Sequence, residues 1–333
     1  MKVLVTGGAG YIGSHVVLAL LEAGFEPIVL DDLSTGAREA IPAGVPFFVG
    51  DVADRSILQT IGDEHRIGAT IHLAASIVVS ESVAHPTRYY RNNTAASLAL
   101  MEQCLVRGVG PFIFSSTATV YKNPRGARLS ETSPTGPISP YAASKLFTER
   151  MLMDQAAADP AFRPICLRYF NVAGADPEGR AGQSGPESTH LVRRAVELAV
   201  GKRDKLEIYG ADYPTRDGTC ERDYLHVSDF AWAQVVCLRH LMAGGEAAIL
   251  NCGSGRGFTV REVIAALEAL IGRKLPVEEG PRRAGDPARL VADARLIRRR
   301  TGWRPKLGSL EVILSTALAW EEKLPKMQRS RSE

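Results

Sequence analysis

The chain opens on a run that few folds can absorb: Lys2-Val3-Leu4-Val5-Thr6, then Gly7-Gly8-Ala9-Gly10-Tyr11-Ile12-Gly13, then the amphipathic stretch Ser14 to Ala23. A short apolar strand, three glycines at intervals of three (Gly7, Gly10, Gly13) and a helix predict the first unit of a doubly wound α/β domain. Each glycine has a physical use there: a tight turn, close backbone approach to a pyrophosphate, and packing of the helix on the sheet. The helix N-terminus adds free N–H groups and the positive end of its dipole. The pattern continues along the chain. Pro27 to Leu30, Val45 to Val49, Thr70 to Leu73 and Phe112 to Phe114 are apolar on consecutive residues, each with helix-length sequence beyond. Strands of that kind are buried on both faces, as in a parallel sheet covered by helices.

Asp31 and Asp32 follow the second strand, 18 and 19 residues past Gly13. An acid there meets adenosine ribose hydroxyls and repels a 2′-phosphate, which favours NAD over NADP. Asp51, after Val49-Gly50, is placed either to contact the adenine edge or to satisfy its own turn. Tyr141 and Lys145 stand four apart in Ser139-Pro-Tyr-Ala-Ala-Ser-Lys, where Ser139 can cap a helix and Pro140 suits its first turn. That spacing puts phenol and ammonium on one helix face. A cation beside a phenol is expected to lower its pKa and make it a usable general base. A hydroxyl to hold a substrate oxygen is available from Ser115-Ser116-Thr117, at the end of a predicted strand, where ligands of open α/β sheets collect.

Composition narrows the classes. With 333 residues, 45% hydrophobic and 23% charged, the chain is an ordinary globular protein with enough length for a full core. A net charge of +3 is too small for an electrostatic nucleic-acid footprint. The five cysteines are odd in number and widely spaced, so neither a metal site nor a disulfide framework is expected. There is no 18-residue apolar run, and the first strand follows Met1 at once, so the expectation is a cytoplasmic protein without a membrane span. After Asn171 the sequence turns rich in glycine, proline and charge, and Gly174 to Gly185 reads as a loop or linker. The expected division is therefore a Rossmann-like NAD-binding domain over 1–172, a smaller α/β substrate lobe over 173–325, and a disordered tail over 326–333. In the second region helices are predicted at Leu191 to Val200, Val227 to Leu241 and Thr259 to Ile271, with strands at Leu206 to Tyr209 and Ala248 to Asn251.

Taken together, these segments resemble the extended short-chain dehydrogenase/reductase family, and within it the UDP-sugar 4-epimerases. The resemblance is carried by residues 5 to 15, 114 to 121 and 139 to 145. It continues through Leu-Arg-Tyr-Phe-Asn (167 to 171), residues 209 to 219, Arg-Asp-Tyr-Leu-His-Val (222 to 227) and Arg-Arg-Ala-Gly-Asp (282 to 286). It implies that Tyr141 is the base, Lys145 its electrostatic partner and Thr117 the hydroxyl that orients the sugar. It implies an NAD site that also draws on Tyr11, Ile12, Val52, Leu73, Ala74, Ala75, Asn92, Ser115 and Phe170. Asn171, His190, Leu191, Tyr209, Arg222, Tyr224, Arg283, Asp286 and Leu290 match positions around the UDP-sugar. The implied reaction interconverts UDP-glucose and UDP-galactose through a 4-ketosugar with tightly held NAD.

The sequence departs from the family pattern in places. Thr117 stands where many relatives have serine, Ile77 where a lysine is usual, and His190 where an asparagine is usual. Leu290 replaces a bulky tyrosine of the sugar-pocket wall, which leaves interconversion of UDP-GlcNAc and UDP-GalNAc open; UDP-glucuronate and UDP-pentoses remain further alternatives that the sequence does not exclude. Dehydratases of the family carry an Asp-Glu pair directly after the hydroxyl residue; Ala118-Thr119 here favours epimerisation. Retention of Tyr141, Lys145 and the two arginines argues against a non-catalytic NAD sensor. The resemblance also implies a homodimer built from helices at Thr87 to Val106 and Tyr141 to Ala157.

Overall fold

The predicted apolar strands lie side by side in a sheet covered on both faces. A computed structural model of the chain describes residues 1–122, 128–185, 189–283 and 285–329. In chain order the strands are β1 (Lys2–Thr6), β2 (Glu26–Asp31), β3 (Phe47–Val49), β4 (Ile67–His72), β5 (Pro111–Thr117), β6 (Arg163–Tyr169), β7 (Asn171–Ala173), β8 (Leu206–Tyr209), β9 (Glu221–His226), β10 (Ala248–Cys252), β11 (Gly257–Thr259), β12 (Val277–Gly280) and β13 (Arg289–Leu290). The helices are α1 (Tyr11–Glu22), α2 (Arg55–Glu64), α3 (Val79–Ala84), α4 (Pro86–Tyr89), α5 (Ala96–Val106), α6 (Pro140–Ala158), α7 (Leu191–Ala199), α8 (Val227–Met242), α9 (Val260–Ile271), α10 (Arg295–Thr301) and α11 (Leu310–Arg329).

Seven parallel strands run in the order β10-β6-β5-β4-β1-β2-β3. Strand β5 illustrates why the sheet is two-sided: Phe112 and Phe114 enter one apolar layer with Leu100, Leu152 and Phe162, while Ile113 enters the other with Val5, Val17 and Phe230. Each fully buried aromatic of this kind contributes about 1.5–3 kcal/mol. The strand order reverses between β1 and β4, so the loops after these two strands open a crevice, the usual ligand position in such sheets.

The expected boundary at residue 172 divides the sequence but does not cleanly divide the fold. Strand β10 returns to pair with β6, and α8 packs against α1, with Phe230, Val235, Leu238 and Leu241 joining Val16, Val17 and Leu20 in one core. The reason is physical: without β10 the β6 edge would be left with unpaired N–H and C=O groups. What remains of the second region builds the lobe around β9, which pairs with β7, β11 and β13, and around the β8–β12 pair. Helix α11 runs to Arg329, into the stretch expected to be a tail, whose residues 330–333 lie outside the described residues. All five cysteines are buried and free. Among the described residues no helix is long and apolar enough to cross a membrane.

Candidate active site

The glycine turn forms a cradle at the start of α1. Gly7 has φ +70°, and a Cβ there would lie 2.6 Å from Ala74 N, so the loops after β1 and β4 touch through bare backbone. Leu73 N and Ala74 N both donate to Thr6 O at 3.1 Å. Gly10 is the N-cap of α1, with no side-chain cap and no acid in the first turn. A Cβ at Gly10 would meet only Gly7 O, at 3.4 Å. The helix end is thus open to an anion, and its unsatisfied N–H groups fit a pyrophosphate.

Asp31 is buried and accepts from Ala9 N and Leu33 N, each at 2.9 Å. Burial pushes its carboxyl pKa up, and these two N–H groups pull it back. It therefore braces the glycine turn and keeps lone pairs for a ribose. Asp32 and Asp51 are exposed and bond their own loops, at Ser34 N (2.9 Å) and Ala53 N (2.8 Å). For Asp51 the self-satisfied turn is what the fold contains. Val52 lies in the core beside Leu30 and Leu58, Ile12 and Ala75 are half-buried, and Asn92 donates to Ser76 Oγ at 2.9 Å. Tyr11 reaches across to the second lobe and donates to Gly174 O at 2.7 Å. Ser115 Oγ, on β5, is buried without a hydrogen-bond partner among the described residues. An orphaned hydroxyl of this kind leaves a donor and acceptor for a bound group to meet.

Tyr141, Lys145 and Thr117 come together where β5 ends against the first turns of α6. Ser139 Oγ caps that helix, accepting from Ala142 N at 3.2 Å, and Pro140 occupies its first turn, as the sequence predicts. Lys145 is buried, donates to Ser115 O at 3.0 Å and lies 4.8 Å from the Phe114 ring centroid. Burial lowers its pKa to about 7. The expectation that Lys145 lowers the phenol pKa is corrected here. Burial raises the Tyr141 pKa, and the groups that pull against it are the Thr117 hydroxyl and the Tyr169 phenol. Desolvation of a phenolate outweighs a cation whose nearest bond is to a carbonyl. Thr117 also caps the short turn that follows it, accepting from Thr119 N at 3.2 Å.

The predicted substrate residues gather around β9. Asn171 pairs in register with Tyr224, and Leu290 with Arg222. Arg222 donates to Asp286 at 2.6 Å, and the Arg283 guanidinium lies 3.7 Å over the Tyr209 ring. This is a basic, aromatic cluster with an acid ready to accept from hydroxyls. Leu290 is buried with Ala118, Val120 and Phe170. Tyr224 is buried in the lobe core with Val192 and Phe258, where Leu191 also packs. His190, exposed at the N-cap of α7, lines with Gly174, Arg193 and Trp320 a cavity of about 20 Å³.

Sequence reasoning missed the residues that tie these parts together. His72 Nδ1 is 2.6 Å from Thr6 Oγ1, His72 Nε2 is 2.8 Å from Ser97 Oγ, and Ser97 donates to Asn93 O at 2.5 Å. Because the Ser97 proton goes to Asn93 O, His72 carries its own on Nε2 and Thr6 donates to Nδ1. Burial lowers this imidazole's pKa to about 3. Asn93, next to the expected Asn92, accepts from Ser76 N at 2.8 Å and donates to Ser144 Oγ at 3.1 Å, joining the β4 loop to α6. Both asparagines sit where the chain widens to a π-helical turn, Tyr90–Ala95, a distortion common at functional sites.

Residues 3–253 match the NAD dependent epimerase/dehydratase family. The UDP-glucose 4-epimerase of Azospirillum brasilense is 53% identical over 323 residues, 97% of this chain and 92% of that protein. The crystal structure of UDP-glucose 4-epimerase from Brucella ovis in complex with NAD superposes with a TM-score of 0.92 at 42% identity, covering 96% of this chain and 97% of that one. The UDP-Glc/GlcNAc 4-epimerase structure from Campylobacter jejuni superposes with a TM-score of 0.85 at 46% identity, covering 97% and 99%.

Proposed function

Because the chain belongs to the NAD-dependent epimerase/dehydratase family, we propose that it is a UDP-sugar 4-epimerase interconverting UDP-glucose and UDP-galactose. The observation that carries this reading is that β5, ending at Thr117, packs against the α6 helix that bears Tyr141 and Lys145, with buried Lys145 donating to Ser115 O at 3.0 Å. A basic cluster suited to a diphosphate lies in the second lobe, where Arg222 on β9 donates to Asp286. The glycine turn and Asp31 hold the NAD; Arg222, Arg283 and Asp286 hold the UDP. The chemistry that NAD supplies when bound is hydride acceptance and return at a sugar carbinol carbon, together with a positive charge.

Everything else falls to the chain. Thr117 orients the 4-hydroxyl, and Tyr141 takes its proton and later gives it back. Burial raises the phenol pKa despite the Thr117 and Tyr169 hydroxyls that pull it down, so a nearby positive charge would favour its ionisation. Purified protein given UDP-galactose without added cofactor is expected to yield UDP-glucose. No conversion, even with NAD supplied, would count against the reading.

One observation favours a wider substrate range. Leu290, a side chain smaller than tyrosine, packs with Ala118 and Phe170 just past the end of β5, and the Campylobacter jejuni protein named as a UDP-Glc/GlcNAc 4-epimerase is 46% identical. Turnover of UDP-GalNAc beside UDP-galactose tests this, and absence of GalNAc turnover would refute it. The proposed assembly is a homodimer through α5 and α6. There Leu98 and Phe147 are exposed, and Phe147 lies against the exposed Tyr90 at 6.0 Å between centroids. A monomeric mass by light scattering would contradict it.

A further inference from the structure

Three residues on one face of α6 meet three consecutive residues of β5. The Tyr141 phenol faces the Thr117 hydroxyl, Lys145 donates to Ser115 O at 3.0 Å, and Glu149, the next residue at the same spacing, accepts from the Ser116 hydroxyl. Glu149 is 1% exposed, and Arg168 on β6, in register with Ser116, clamps it with Nη2 at 2.6 Å and Nε at 2.9 Å. Arg168 is in turn held by the Tyr121 ring, 4.8 Å from its guanidinium carbon, and Tyr121 donates to Asn251 at 2.6 Å.

Stability alone does not account for such a pair. Two desolvated charges roughly cancel their mutual attraction, and well-packed apolar residues often serve a fold as well or better. What an ion pair adds is direction: a bidentate clamp fixes two groups in one geometry. Ser116 lies between Ser115, whose carbonyl seats Lys145, and Thr117, whose hydroxyl faces Tyr141. Locking Ser116 to α6 therefore sets the register of both catalytic contacts.

We propose that Glu149 and Arg168 are positioning residues, a buried clamp that holds the end of β5 against α6 and thereby fixes the Thr117–Tyr141 geometry for proton transfer. The proposal rests on the epimerase reading. Misplacing a reacting group by about 1 Å can cost on the order of 100-fold in rate.

The test uses purified NAD-loaded enzyme in three variants: Ser116→Ala, Glu149→Gln, and the double Glu149→Met/Arg168→Met. For each, kcat and KM for UDP-galactose, bound NAD and the melting temperature are measured. Ser116→Ala is expected to lower kcat about tenfold, the loss of one hydrogen bond, and Glu149→Gln on the order of 100-fold. KM and bound NAD should stay near wild type in both. The double variant should keep a wild-type melting temperature and NAD content yet remain as slow as Glu149→Gln. Wild-type kcat in Ser116→Ala and in the double variant would overturn the proposal. So would parallel loss of kcat, KM and NAD, which marks a merely structural pair. If Glu149→Gln fails to fold, the other two variants decide. Wild-type enzyme in the same assay separates the two layers: active wild type with unaffected variants removes only the clamp, whereas inactive wild type removes the epimerase reading and the clamp with it.

Discussion

Gly13 carries the sharpest constraint of any residue in the cradle, since a Cβ there would stand 2.0 Å from Gly7 O and 2.6 Å from Gly8 Cα. Overpacking of this kind typically costs 1–3 kcal/mol, and here it is relieved only by moving α1 off the turn that receives the phosphates. Gly13→Ala is expected to weaken NAD binding by roughly tenfold to a hundredfold or more, and purification with wild-type NAD content would contradict it. Tyr141→Phe keeps the ring packed against Tyr89 and removes only the hydroxyl. It should lower kcat by roughly 10² to 10⁴ with NAD retained; unchanged turnover would exclude Tyr141 as the acid–base group. Gly13, Tyr141 and Lys145 could be singled out in the sequence by their spacing within the glycine turn and the Ser-Pro-led helix. The direction of the Tyr141 shift was not, because it depends on burial, which no local pattern states. Nor could sequence tell Asn92 from Asn93: two adjacent residues of one type differ only in which way the helix turns them.

Among elements, strands β1 to β5 and β10 could be read from short apolar runs, and α6 from its Ser-Pro start, whereas β6 was not among the predicted strands. Strand β9 could not. Its sequence, Glu-Arg-Asp-Tyr-Leu-His, reads as a loop, yet all six residues are buried. The fold tolerates this because each charge is met. Asp223 accepts from Ser254 N, Gly255 N and Ala292 N, Arg222 pairs with Asp286, and Glu221 with Arg216 and Arg289. Partners so distant in sequence leave no local trace. The return of α8 and β10 to the first sheet was equally invisible, and it has a consequence for dissection. A fragment of residues 1–172 lacks the strand that covers β6 and the helix that covers α1, so it should be aggregation-prone and bind no NAD. A soluble fragment that melts cooperatively and binds NAD would contradict the shared core.

Over the whole molecule, three buried imidazoles link stability to pH. Burial lowers the pKa of His15 to about 4, His72 to about 3 and His226 to about 4, from 6.5. Below 6.5 the unfolded chain takes up protons on these residues that the folded chain refuses. The unfolded state then binds more protons, and stability must fall as pH drops from 6.5 toward 5. Asp31, Asp223 and Asp229, raised by burial, act in the opposite sense closer to pH 4. Urea unfolding across pH 5 to 6.5 should show the loss, and His226→Gln should take one titrating proton out of the slope; a flat profile would contradict it. The same close packing that excludes water from these imidazoles encloses Lys145 and Tyr141, and the central claim is that hydrogen leaves the sugar C4 and comes back to it without meeting solvent. The direct measurement is conversion of UDP-galactose deuterated at C4, in ordinary water, with the product followed by NMR and mass spectrometry. UDP-glucose that keeps its deuterium at C4 is the result expected; UDP-glucose that has exchanged it for solvent hydrogen would contradict the account.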